Sequence, residues 1–162
     1  MKYPGDLLSD VELLKSLADA SDEISFDRFH SQDLQIETKP DSTPVTDADR
    51  AVEKKIRELL ATERPQDKIV GEEFGSPNEI KPGERYWVID PIDGTKNFLR
   101  GVPIWASLIG LVSRNNDGED QVIAGMVSSP ALFRRWYAAL GFGAFTEVNG
   151  GAAVQISVSN VK

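Results

Sequence analysis

The sequence contains no cysteine, which excludes disulfides, thiolate nucleophiles and cysteine-bound zinc and is compatible with a reducing compartment. Histidine is almost missing too: His30 stands alone in 162 residues. A single imidazole has no partner of its kind, so His30 reads as a surface or helix-end residue and not as a ligand. There is no apolar run of about 18 residues and no charged-then-apolar opening segment, so neither a membrane span nor a signal peptide is expected, and a cytoplasmic location is the default. Basic charge is in deficit, with 18 Lys and Arg against 26 Asp and Glu and a net charge of -8. That is the reverse of a surface that tracks phosphates along a strand, and nucleic acid is not expected as a partner. No repeat or low-complexity segment occurs.

What is present suits one domain with a proper core, since 40% of the residues are hydrophobic. Leu7, Val11, Leu14, Leu17, Ala18, Ile24 and Phe29 mostly fit one face of a helix over residues 7–29. Residues 34–38 alternate as a short strand, and Pro40 and Pro44 mark the loop that follows. A second helix opens near Thr46, where Asp49 three residues on completes a capping box, and Arg64-Pro65 closes it. After the short strand Lys68-Ile69-Val70, the Pro- and Gly-bearing stretch 76–84 reads as a mobile loop. Further strands are expected at 105–112, at 121–127 after the Asn115-Asn116-Asp117-Gly118 turn, and within 133–140, 141–145 and 154–158. Helices followed by a run of strands predict an α+β fold, a largely antiparallel sheet packed by two long helices on one face. Trp87, Trp105 and Trp136 are expected to pack in the sheet.

The densest stretch is Trp87-Val88-Ile89-Asp90-Pro91-Ile92-Asp93-Gly94-Thr95-Lys96-Asn97-Phe98. A strand ends in Asp90 and Asp93, two hard oxygen donors in one loop, and Pro91 fixes the backbone so that the Ile92 carbonyl is free to join them. Gly94 and Thr95 then open a helical turn whose first amides suit phosphate oxygens. On residues alone, Pro-Ile-Asp-Gly is equally a solvated β-turn, and Asp47 is equally a first-turn carboxylate that complements a helix dipole.

The string Asp-Pro-Ile-Asp-Gly-Thr-x-Asn-Phe resembles the signature of the inositol monophosphatase family, Mg2+-dependent and lithium-sensitive phosphomonoesterases. With Gly71-Glu72-Glu73 before it and Arg100-Gly101-Val102-Pro103-Ile104-Trp105 after it, it is most similar to the histidinol-phosphate phosphatases of that family. The resemblance implies the N-terminal part of a layered α/β sandwich, and hydrolysis of histidinol phosphate to histidinol and phosphate in histidine biosynthesis. Inositol monophosphate or another small phosphate monoester is the alternative substrate, and a homodimer is implied for the full-length protein. It implies that Glu72, Asp90, the Ile92 carbonyl and Asp93 hold Mg2+, with Mn2+ fitting nearly as well, and that Glu73 stands behind them. Asp47 and Thr95 would orient and deprotonate the attacking water, while Asp93, Gly94 and Thr95 hold the substrate. Lys39 and Arg100 either add positive charge nearby or are solvated surface residues. The family's chains continue into a Trp-Asp-x-Ala-Ala segment whose aspartate completes a second metal site; Trp136-Tyr137-Ala138-Ala139 is only its echo. Residues 1–162 are therefore expected to be the N-terminal metal- and phosphate-binding domain with the C-terminal part absent. A catalytically silent metal-binding domain is the further alternative, and an exposed sheet edge or apolar face, favouring oligomers or low stability, is the expected result.

Overall fold

The computed structural model describes residues 7–40 and 43–161. In chain order, α1 (Leu7–Arg28) is followed by the hairpin β1 (Ile36–Thr38) and β2 (Pro44–Thr46), then α2 (Asp47–Glu63), β3 (Lys68–Gly71), β4 (Arg85–Asp93) and the short α3 (Thr95–Leu99). The strands β5 (Ala106–Arg114), β6 (Asp120–Ser129), β7 (Arg134–Ala139), β8 (Gly143–Val148) and β9 (Val154–Ile156) complete it. The α+β architecture follows the sequence pattern: β1 and β2 form a sheet of their own, and β3 to β9 form a seven-stranded sheet in sequence order. Every neighbouring pair in it is antiparallel except β3 and β4, which run parallel.

Val11, Leu14, Leu17 and Ala18 bury one stripe of α1, as their spacing of three and four residues requires. The stripe continues through Ser21 and Ser25, whose hydroxyls donate to the carbonyls of Leu17 and Ser21. In α2, Val52, Ile56 and Leu60 are buried at the same spacing. Thr46 caps its start with Asp49 in a reciprocal capping box, and Arg64 ends it. Both helices lie on one face of the sheet, against Trp87, Ile89, Ile109, Leu111, Ile123 and Met126. Trp136 is only partly buried, unlike Trp87 and Trp105.

The opposite face is open. Val88, Gly110, Gly125, Ala138, Ala144 and Ile156 stand directly opposite one another from strand to strand, so they form one row across the sheet. Val88 and Ile156 are exposed at its two ends. A second, smaller core of Ala48, Ile92, Phe98 and Trp105, with Phe29 against it, underlies the turn into α3. The Phe98 and Trp105 rings meet edge to face with centroids 5.0 Å apart.

Candidate metal and phosphate site

The parallel pair makes the site. Gly71 is in register with Ile89, so the next residues of the two strands, Glu72 and Asp90, emerge side by side at the same end. The Glu72 amide extends the ladder by donating to the Ile89 carbonyl at 3.2 Å. Burial first, and then the adjoining Glu72, Asp93 and Asp49 carboxylates, push the Asp90 carboxyl up to about 7. Asp90 Oδ1 is buried with no hydrogen-bond partner among the described residues.

Beyond Asp90 the β4–β5 register slips, with Asp90 opposite Leu108 and Asp93 opposite Ala106. That is one extra residue on β4, a bulge that re-aims the strand end. Ser107 holds it by donating its hydroxyl to the Pro91 carbonyl at 2.7 Å. Ile92 turns inward into the small core while Asp93 is exposed. Gly94 then takes φ +89°, and a Cβ there would lie 3.1 Å from the Ile104 carbonyl oxygen, so this sharp entry into α3 excludes a side chain. The first amides of α3 have no partner within the helix.

Thr95 Oγ1 lies 3.1 Å from the Ile92 carbonyl oxygen and 3.4 Å from Asp49 Oδ1. The other oxygen of Asp49 accepts from the Thr46 amide at 2.8 Å and the Thr46 hydroxyl at 2.5 Å. Burial raises the Asp49 carboxyl above its ordinary range, against the lowering effect of the Thr46 hydroxyl.

The Thr95 partner is thus Asp49, and the expectation that placed Asp47 there does not match the geometry. Two positions along a helix turn a side chain by about 200°, so Asp47 and Asp49 cannot face the same way. Asp47 pairs instead with Arg28 at 2.8 Å and accepts the Gln35 amide at 3.2 Å, tying α2 to α1 and β1. The sequence did carry a signal for Asp49: with Glu53 and Arg57 it forms a polar line at four-residue spacing beside the apolar face of α2. Glu53, which the sequence reading passed over, is wholly buried and accepts the Glu73 and Phe74 amides at 2.7 and 3.1 Å.

Lys39 Nζ bridges Glu72 at 2.8 Å and Glu73 at 2.7 Å, and these carboxylates hold the Lys39 ammonium well above its usual range although burial opposes them. Arg100, at the exposed end of α3, has no ion pair among the described residues.

Among the described residues no three acidic or imidazole side chains close into a ready cage for an ion; Glu72 is drawn toward Lys39. The donors nevertheless suit a hard divalent cation. They are all oxygen, one of them is a buried orphan on Asp90, and its carboxylic proton is held by burial and then by crowded negative charge that a cation would relieve.

Sequence comparison matches residues 7–162 to the Inositol monophosphatase family. Histidinol-phosphatase of Mycobacterium tuberculosis is 54% identical over 152 residues, 94% of this chain and 56% of that protein. Histidinol-phosphatase of Streptomyces coelicolor is 51% identical over 156 residues, 96% and 57% respectively. The chain therefore spans about half the length of these curated relatives. Among solved structures, the Thermotoga maritima IMPase superposes with a TM-score of 0.72 at 31% identity, covering 95% of this chain and 54% of that one. The inositol monophosphatase from Anabaena superposes with a TM-score of 0.76 at 24% identity, covering 97% and 52%, a likeness of fold.

Proposed function

The chain belongs to the inositol monophosphatase family, and from that premise we propose that the protein carrying it hydrolyses a small phosphate monoester, histidinol phosphate, to histidinol and phosphate. The relatives named histidinol-phosphatase, about half identical across nearly all of this chain, support that substrate, and a place in histidine biosynthesis is part of the same proposal. One observation carries the reaction: the Glu72–Asp90 pair and the Asp49–Thr95 pair converge at the head of α3.

Glu72, Asp90, Asp93 and the Ile92 carbonyl would hold Mg2+ or Mn2+. A bound ion of this kind lowers the pKa of water and stabilises charge on phosphate oxygens. The chain's own residues do the rest. The Thr95 hydroxyl takes a proton from the attacking water and hands its own to Asp49 Oδ1, 3.4 Å away. Burial makes the Asp49 carboxylate a stronger base than an exposed one. Thr46 fixes its far oxygen, so the near one keeps its aim. The amides at Gly94 and Thr95 grip phosphate oxygens, presented by the left-handed turn that Gly94 makes against Ile104 and Trp105.

The test is phosphate release by the whole protein from histidinol phosphate and from inositol monophosphate, with excess Mg2+ and with chelator. Release that needs the metal and favours histidinol phosphate in kcat/KM is expected. Preference for inositol monophosphate would overturn the substrate, and release indifferent to chelator would overturn the metal reading.

A further inference from the structure

We propose that Glu53 is a positioning residue that sets the aim of Glu72, with Arg57 completing its grip. The inference rests on the reading of Glu72 as a metal ligand. Glu53 is wholly buried in the middle of α2, where a carboxylate persists only if its oxygens are satisfied. Its partners are the amides of Glu73 and Phe74 at 2.7 and 3.1 Å and the Arg57 Nε at 2.7 Å. Arg57 in turn donates to the Gly75 carbonyl at 2.6 Å, which also receives the Gly71 amide at 3.1 Å. The whole turn from Gly71 to Gly75 is therefore closed around one helix-borne carboxylate and guanidinium.

Gly71 shows how tight this seat is. A Cβ at that position would fall 1.9 Å from Glu53 Oε1, so the residue before Glu72 lacks a side chain because Glu53 fills the space. All of Glu53's partners are donors, and only a group that accepts at both oxygens satisfies them; an amide would turn an NH2 toward an N–H. Asp49, Glu53 and Arg57 are four residues apart and lie on one line of α2. One rigid helix thus carries both the carboxylate that meets Thr95 and the carboxylate that fixes the turn of Glu72, and the helix repeat, not loop conformation, sets their separation.

The test is a double-mutant cycle on Mn2+ affinity, measured by calorimetry with wild type, Glu53→Gln, Glu72→Gln and the double variant. Each single substitution is expected to weaken binding by about 10- to 100-fold, and the double variant should bind no more weakly than Glu72→Gln. Unchanged affinity in Glu53→Gln, or the same loss in both backgrounds as a merely structural role would give, overturns the inference alone. Affinity that ignores Glu72→Gln overturns the metal reading and this inference with it. Arg57→Gln is the milder second variant should Glu53→Gln fail to fold; its smaller loss must likewise vanish in the Glu72→Gln background.

Discussion

Asp49 Oδ1 lies 3.4 Å from Thr95 Oγ1, although 46 positions separate the two residues. The first turn of α2 and the first turn of α3 are thereby brought together above the Ala48, Ile92, Phe98 and Trp105 core. That contact gives Asp49, expected from the sequence only as the cap of α2, the place beside Thr95 that was expected of Asp47.

In the whole protein, Asp49→Asn is expected to lower kcat by about 10²- to 10⁴-fold, the usual contribution of a positioned base, with KM little changed. Asp47→Asn should spare most of kcat and instead lower stability by about 1 kcal/mol, since its ion pair with Arg28 is partly exposed. Steady-state kinetics and urea unfolding of both variants check this. A collapse of kcat confined to Asp47→Asn would return the role to that residue.

The acid cluster makes the metal-free chain pH-sensitive. Asp90 titrates at about 7 when folded, against an ordinary 3.8, so the folded state holds this proton more tightly than the unfolded state. The stabilisation is complete below about pH 4 and is lost as pH rises through about 7. With chelator present, Tm should therefore fall between about pH 5 and about pH 8. Mg2+ should raise Tm more at the higher pH, because a ligating carboxylate must be deprotonated. Thermal unfolding at the two pH values, with and without Mg2+, measures both effects.

Gly94→Ala is expected to destabilise the chain by about 1–2 kcal/mol, the cost of a left-handed conformation for a residue with a Cβ. The new methyl group would also press on the Ile104 carbonyl. Shifting the start of α3 should weaken inhibition by inorganic phosphate in the whole protein, measured alongside urea unfolding. A variant as stable and as phosphate-sensitive as wild type would show that α3 begins without this constraint.

Asp10, 1% exposed, receives Arg64 at 2.9 Å and both terminal nitrogens of Arg85 at 2.9 and 3.1 Å. It joins the start of α1 to the end of α2 and the start of β4. Asp10→Ala should cost about 1–3 kcal/mol, because buried Arg85 loses one carboxylate while keeping its pair with Asp67 at 2.9 Å. Breaking the exposed Glu37–Arg50 pair should leave the denaturant midpoint almost unchanged, because both groups are screened by water. Denaturant midpoints of the two variants give the comparison.

Most of the architecture was legible in the sequence because the signals are local. The stripes of α1 and α2, the capping box at Thr46 and Asp49, the stop at Arg64 and the Asn115–Gly118 turn each follow from neighbours in the chain. The parallel pairing of β3 with β4 was not legible, since the short strand Lys68–Gly71 carries no mark of its partner's direction. The choice between Asp47 and Asp49 was only hinted at, by the four-residue line of Asp49, Glu53 and Arg57; both aspartates suit a first helical turn, and it is the arrival of Thr95 at the head of α3 that separates them. Glu53 escaped for a related reason: a glutamate inside a helix ordinarily faces water, and nothing nearby announces the turn that wraps it.

The cross-strand row of Val88, Gly110, Gly125, Ala138, Ala144 and Ile156 bears on how mutational tolerance should be measured. A Cβ added at Gly110 meets nothing within 4 Å, so a saturation screen of these residues alone would score that position as freely replaceable. In any longer protein where another layer lies on this face, the same substitution would act as a spacer, wedging the layer away from a surface whose middle is almost bare backbone. Fitness at the row therefore reports on the neighbour and not on the sheet, and comparing screens of the short and long forms would map that contact without a second structure.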